Sequence, residues 1–238
     1  MKKIIDLNIK IFADGADFDY ISKLNRLDYI KGFTTNPTLI KQSGVSDYKS
    51  FADKILNIVK TKPISFEVFS DGIEEIEIEA EKISKWGKNV NVKIPIANTN
   101  NQSTSKIISN LTKKGIICNV TAIFTLKQIE NLLENINESS HLILSIFAGR
   151  IADTGINPFE LFKKAKKLTA DYPNIELLWA STRQIYNIFE AAECGADIIT
   201  VPYQLIKKFN LVGKNLEDYS LETIKDFFND AKLINFDN

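Results

Sequence analysis

Short runs of β-branched and aromatic residues recur along this chain, separated by longer stretches with helical periodicity. The runs fall at 10–13, 32–35, 64–69, 90–94, 116–121, 142–147, 176–180 and 197–201. Between them, Ile73, Ile76, Ala80, Ile83 and Trp86 share a helical face that ends at Gly87. Ile185, Ile188, Phe189 and Ala192 share another that ends at Gly195. Glycine closes a helix because it tolerates the left-handed conformation. Asn157-Pro158 reads as an N-cap followed by proline at the first helical position. A last helix, over 221–231, carries Leu221, Ile224, Phe227 and Phe228 on one side.

Eight strand-then-helix units predict a parallel closed (β/α)8 TIM barrel, one domain over 1–238 with its C-terminal helix from about 220. The competing architecture is an open doubly wound sheet. That fold usually carries a glycine-rich nucleotide loop, and neither GxGxxG nor GxxxxGKS/T occurs.

Strands of a parallel barrel are covered on both faces and should be almost wholly apolar. Several here are not. The first ends at Asp14, the second in Thr34-Thr35-Asn36-Pro37. The third holds Ser65 and Glu67, the fourth Asn91 and Lys93, the fifth Asn119 and Thr121. The sixth holds Ser145 and leads to Phe147 and Arg150; the seventh runs into Ser181-Thr182-Arg183. Period-two alternation puts Asn91 and Lys93 on one face, Val92 and Ile94 on the other. The expectation is that the polar set points into the barrel and gathers at the C-terminal strand ends, where barrel active sites lie. Taken singly, each has an ordinary reading. A strand-end lysine snorkels to water, a strand glutamate is half of an ion pair, and TTNP is a turn. Taken together they would be costly to bury without mutual pairing and a function.

Composition narrows the partners. Lys+Arg and Asp+Glu are 30 each, so no basic excess points to nucleic acid. Asp6 and Asn8 interrupt the short basic start, and no apolar run approaches membrane-spanning length, so a soluble cytoplasmic protein is expected. The two cysteines, Cys118 and Cys194, and the single His141 show no metal-ligand spacing. They suit a reducing compartment, with one disulfide left open.

A lysine in a partly dry interior is pushed toward its neutral form, because desolvation disfavours the ammonium. A neutral amine attacks a carbonyl, and the resulting iminium is an electron sink that lets a neighbouring C–C bond break. Asp14 and Glu67 are the candidate proton carriers, and Asn119 a partner for substrate hydroxyls. Ser181 and Arg183, after the seventh strand, are candidates for a phosphate site, with Arg150 a second guanidinium.

Five segments then carry a family resemblance. Thr34-Thr35-Asn36-Pro37 resembles the transaldolase TTNP signature, and Asn91-Val92-Lys93-Ile94-Pro95 its lysine strand. Asn119-Val120-Thr121 resembles its NxT strand, Ser145-Ile146-Phe147-Ala148-Gly149-Arg150-Ile151 its SPFVGRI-like strand, and Ala180-Ser181-Thr182-Arg183 its phosphate site. They occur in the family's order between Asp14 and about Val201. The resemblance implies Lys93 as Schiff-base nucleophile, Asp14 as acid/base, and Glu67 with Thr121 as the pair that positions and deprotonates a water. It implies that Asn36 and Asn119 hold a dihydroxyacetone unit. Thr34, Ser145 and Phe147 would contact substrate, and Arg150, Ser181 and Arg183 would hold phosphate. The implied substrates are sugar phosphates, with no metal or organic cofactor.

The same family includes fructose 6-phosphate aldolases, which resemble this pattern but have glutamine where this chain has Glu67 and tyrosine where it has Phe147. Both positions favour transfer over simple aldol cleavage. Gly15 stands where the family often has a hydroxyl residue, which leaves room for a paralogue with a specialised sugar. A non-catalytic sugar-phosphate binder is the reading from another class, and the complete set of Lys93, Asp14 and Glu67 weighs against it. Similarity to short family members suggests a ring-like homo-oligomer built with the C-terminal helix. The apolar stripe of that helix also suits plain core packing.

Overall fold

The computed structural model describes residues 4–234. Among them eight strands form a closed parallel barrel in sequence order. They are β1 (Lys10–Asp14), β2 (Ile30–Thr34), β3 (Ile64–Glu67), β4 (Val90–Pro95), β5 (Cys118–Ile123), β6 (Leu142–Ile146), β7 (Ile175–Trp179) and β8 (Ile198–Pro202). The helices are α1 (Phe18–Asn25), α2 (Pro37–Gln42), α3 (Tyr48–Ile58), α4 (Ile73–Ser84), α5 (Ser105–Lys113) and α6 (Leu126–Leu133). They continue with α7 (Ala148–Asp153), α8 (Phe159–Leu168), α9 (Tyr186–Glu193), α10 (Tyr203–Ile206) and α11 (Leu216–Ala231). The expected TIM barrel is therefore the observed one.

Alternation along each strand sorts the side chains. Val92, Ile94, Val120, Ile123, Leu144 and Ile146 face outward and join the main apolar core with Ile76, Ile83, Ile108 and Leu132 from the helices. Each such fully buried aliphatic side chain favours folding by about 1.5–3 kcal/mol. The inward positions form a second, smaller cluster of Phe12, Ile143, Leu178, Ala180 and Ile198, which fills the lower barrel. Gly32 makes room for it. A Cβ there would stand 2.6 Å from Cζ of Phe12, so the aromatic ring occupies the place that a side chain on β2 would need. The polar residues expected inside lie above this apolar floor.

Several boundaries differ from the sequence reading. β2 starts at Ile30 rather than 32, because Gly32 continues the strand against Phe12 instead of interrupting it. Pro158 is itself the N-cap of α8, and Asn157 Oδ1 accepts from Phe159 N at 2.9 Å, so the cap sits one residue further along than predicted. In α9, Ile185 is the N-cap and Ala191, not Ala192, is buried. Gly195, at φ +86, stops that helix as expected.

The last helix begins at Leu216, well before 221. Asn215 Oδ1 accepts from the backbone N–H of both Glu217 and Asp218, and these acids suit the positive helix start. No residue of α11 is buried. Among the described residues its apolar stripe joins no core cluster. Phe227 is 69% exposed and Phe228 62%. Cys118 and Cys194 are free and buried, and burial pushes each thiol up to about 12. No helix among the described residues is long and apolar enough to cross a membrane.

Candidate active site

Strand register brings the charged pair together. Glu67 is the Cα partner of Lys93, and Lys93 is the partner of Asn119, so three inward residues stand side by side on β3, β4 and β5. Lys93 Nζ lies 3.0 Å from Glu67 Oε2 and donates to the Thr35 carbonyl at 3.0 Å. The ammonium approaches Oε2 outside hydrogen-bonding geometry, so this oxygen is ion-paired by distance yet makes no hydrogen bond. Thr121 Oγ1, close by on β5, is also buried and unbonded. Buried polar atoms in proteins are nearly always paired. Both oxygens are therefore open to a hydrogen bond from a molecule that enters the site.

Asp14 approaches from the other side of the barrel. It is half-buried in the barrel wall, and desolvation raises its pKa above the ordinary carboxylate value. The charge of Lys93 and a hydrogen bond from Thr34 oppose that rise without cancelling it. Thr34 Oγ1 is 2.7 Å from Asp14 Oδ1 and 2.5 Å from Thr200 Oγ1. Thr200 is a site residue that the sequence reading missed. Its signal was there, since it alternates with the outward-facing Ile199 and Val201 on β8.

A cavity of about 460 Å³ opens over these groups at the C-terminal strand ends. It is lined by Asp14, Thr34, Asn36, Glu67, Lys93, Thr121, Ser145, Phe147, Arg150, Ser181 and Arg183, which is every predicted site residue except Asn119. Asn119 is completely enclosed beneath it. Its Nδ2 donates to Ser65 Oγ at 3.0 Å and its Oδ1 accepts from Ser145 Oγ at 2.6 Å. Its place in the structure is thus one layer down, holding Ser145. Asn36 lines the cavity while capping α2, with Oδ1 accepting from Leu39 N at 3.0 Å. The sequence also missed Tyr48, whose hydroxyl donates to the Glu67 carbonyl at 3.0 Å and steadies the end of β3.

The cationic rim is built by α7 and the turn after β7. The Arg150 guanidinium stacks 5.2 Å above the Phe147 ring. Ser181 adopts φ +64, a left-handed conformation unusual for a non-glycine residue. Its carbonyl comes within 1.7 Å of where a Cβ on Gly149 would stand, so only glycine fits at that point of α7. Other depressions of comparable size, about 490 and 440 Å³, lie around Lys10, His141 and Glu176, at the opposite end of the barrel from the lysine and its carboxylates.

Comparison with known proteins agrees with this geometry. The family model described as transaldolase/fructose-6-phosphate aldolase matches residues 11–238. A "Probable transaldolase" of Streptococcus agalactiae serotype V is 35% identical over 221 residues, covering 92% of this chain and 97% of that protein. One from Caldicellulosiruptor saccharolyticus is 38% identical over 202 residues, covering 84% and 88%. Among solved structures, a 2,3-dimethylmalate lyase of the PEP mutase/isocitrate lyase superfamily superposes with a TM-score of 0.54. That alignment covers 94% of this chain and 88% of the lyase at 14% identity, a likeness of fold alone. With the family model spanning nearly the whole barrel, the chain belongs to the transaldolase/fructose-6-phosphate aldolase family and is an enzyme.

Proposed function

We propose that the protein is a transaldolase, a transferase of aldehyde or ketone residues that moves a dihydroxyacetone unit from a ketose phosphate to an aldose phosphate. The observation that carries this reading is the buried Lys93 amine, 3.0 Å from Glu67 Oε2, in one cavity with a desolvated Asp14. The Lys93 amine adds to the ketone carbon and water leaves, giving an iminium. Asp14 takes the proton from the hydroxyl two carbons along the chain. The bond between the α-carbon and that hydroxyl-bearing β-carbon breaks, its electron pair passes to the iminium, an aldehyde departs, and the three-carbon enamine stays on Lys93. The acceptor aldehyde then takes up the enamine, and Asp14 returns the proton. Hydrolysis by water releases the product, with Glu67 and Thr121 as its acceptors. Arg150, Ser181 and Arg183 hold the phosphate, by resemblance to the family's phosphate group and in keeping with the exposed guanidinium groups at the rim. The reading places the enzyme in the pentose phosphate pathway and in the cytoplasm.

Incubation with fructose 6-phosphate, with and without erythrose 4-phosphate, tests the reading. Product formation that depends on the acceptor is expected. Free dihydroxyacetone released at full rate without acceptor would assign the chain to the aldolases instead. We also read the protein as a homo-oligomer, since α11 presents Leu221, Ile224, Phe227 and Phe228 exposed, outside the apolar core of the described residues.

A further inference from the structure

We infer that Asp153 is a positioning residue that holds Arg183 beside Arg150, so that two guanidinium groups meet the substrate's phosphate together. The inference rests on the reading of Arg150 and Arg183 as phosphate ligands and adds a residue that neither the sequence motifs nor the family match assigns.

The argument begins with α7. Arg150 and Asp153 are three residues apart on this helix, so they lie on neighbouring positions of one face. Arg183 arrives from the turn after β7 and crosses the same helix. Its Cγ passes 3.1 Å from where a Cβ on Gly149 would stand. Its Nη2 ends 2.6 Å from Asp153 Oδ2. The stem thus runs through space that only a glycine at 149 leaves open, and the tip is held by Asp153. Arg150 and Arg183 both line the cavity.

This ion pair does little for the fold. Its partners are 52% and 55% exposed, and ion pairs so open to water add little stability. What it does is order a long side chain before the ligand arrives, which removes an entropic cost from binding. Arginine has five N–H donors, and Asp153 engages Nη2 alone, so Nε and Nη1 stay free for phosphate oxygens. The opposing effect is repulsion between Asp153 and the phosphate. At this exposed rim that repulsion is screened, and the carboxylate charge is already matched by Arg183.

The test measures KM for fructose 6-phosphate and the inhibition constant of inorganic phosphate in Asp153→Ala, Asp153→Asn and Arg183→Ala. Asp153→Ala is expected to raise both constants roughly three- to tenfold, the range set by ordering one such side chain, with kcat within about twofold. Asp153→Asn keeps an oxygen acceptor for Nη2 and should stay near wild type. In the Arg183→Ala background, Asp153→Ala should have no further effect. Unchanged or lowered constants in Asp153→Ala would overturn the inference, and so would an Asp153→Asn variant as impaired as Asp153→Ala. If Arg183→Ala raises both constants and Asp153→Ala does not, only the role of Asp153 falls. If Arg183→Ala leaves both unchanged, the phosphate-site reading falls and takes this inference with it.

Discussion

Thr34 gives its hydroxyl proton to Asp14, at 2.7 Å across the β1–β2 pair. Having one proton, Thr34 must then accept from Thr200, so the two threonines form an oriented chain that ends on the carboxylate. The chain favours the ionised acid, whereas burial disfavours it, and burial prevails. Asp14 therefore binds its proton more tightly folded than unfolded. Its contribution to stability is fully present below the ordinary carboxylate value and is lost as pH rises through the higher folded value. Above that, the ionised group weighs against the fold. Asp14→Asn, which still accepts from Thr34, is expected to raise Tm at pH 8 while abolishing turnover. Each kcal/mol relieved is worth about 2–4 °C in a chain of this size. Thermal unfolding across pH checks the sign, since the advantage over wild type should shrink as pH falls. A variant less stable at pH 8 would contradict it.

Lys93 is the expected point of covalent capture. Borohydride added with fructose 6-phosphate should leave a three-carbon or whole-sugar adduct on the peptide that contains Lys93. Lys93→Met should give none and should lose turnover by at least roughly a thousandfold. It also leaves the largely enclosed Glu67 without its cation, at a cost of about 3–5 kcal/mol. An adduct that survives the substitution would defeat the Schiff-base assignment.

Glu67→Gln keeps the shape of the side chain and removes its charge. By the family contrast at this position, transfer should slow by roughly tenfold or more while release of free dihydroxyacetone rises. Separate assays of transfer and cleavage decide it, and unchanged transfer kinetics would refute the role given to Glu67.

Gly149→Ala tests the junction that shapes the phosphate rim. The added methyl would stand 1.7 Å from the Ser181 carbonyl oxygen, so α7 and the turn after β7 must separate. Overpacking of this kind costs about 1–3 kcal/mol. A lower Tm and a higher KM for phosphorylated donors are expected together. A variant with wild-type Tm and KM would show that the junction yields freely.

Light scattering should give a mass that is a multiple of 26.9 kDa. The paired substitution Phe227→Glu and Phe228→Glu, on the exposed side of α11, should yield a smaller species without loss of the barrel's circular dichroism. A wild-type mass of one chain would end the oligomer proposal.

The barrel was legible in the sequence because a parallel strand advertises itself twice, in its β-branched run and in the helix that must follow it. Alternation alone put Lys93 opposite Val92 and Ile94, and the structure finds the lysine in the cavity and the two aliphatic residues in the outer core. What alternation cannot supply is register between strands, since each strand's pattern is silent about its neighbour's offset. Only the closed sheet made Glu67 the lateral partner of Lys93, joined Thr200 to Thr34, and lowered Asn119 beneath the cavity it was expected to line. The same holds for α11. Its apolar stripe was plain in the sequence, but a stripe says only that a helix has something to bury. The tertiary structure decided that none of the described residues buries it, because the barrel closes on β8 and leaves that helix outside.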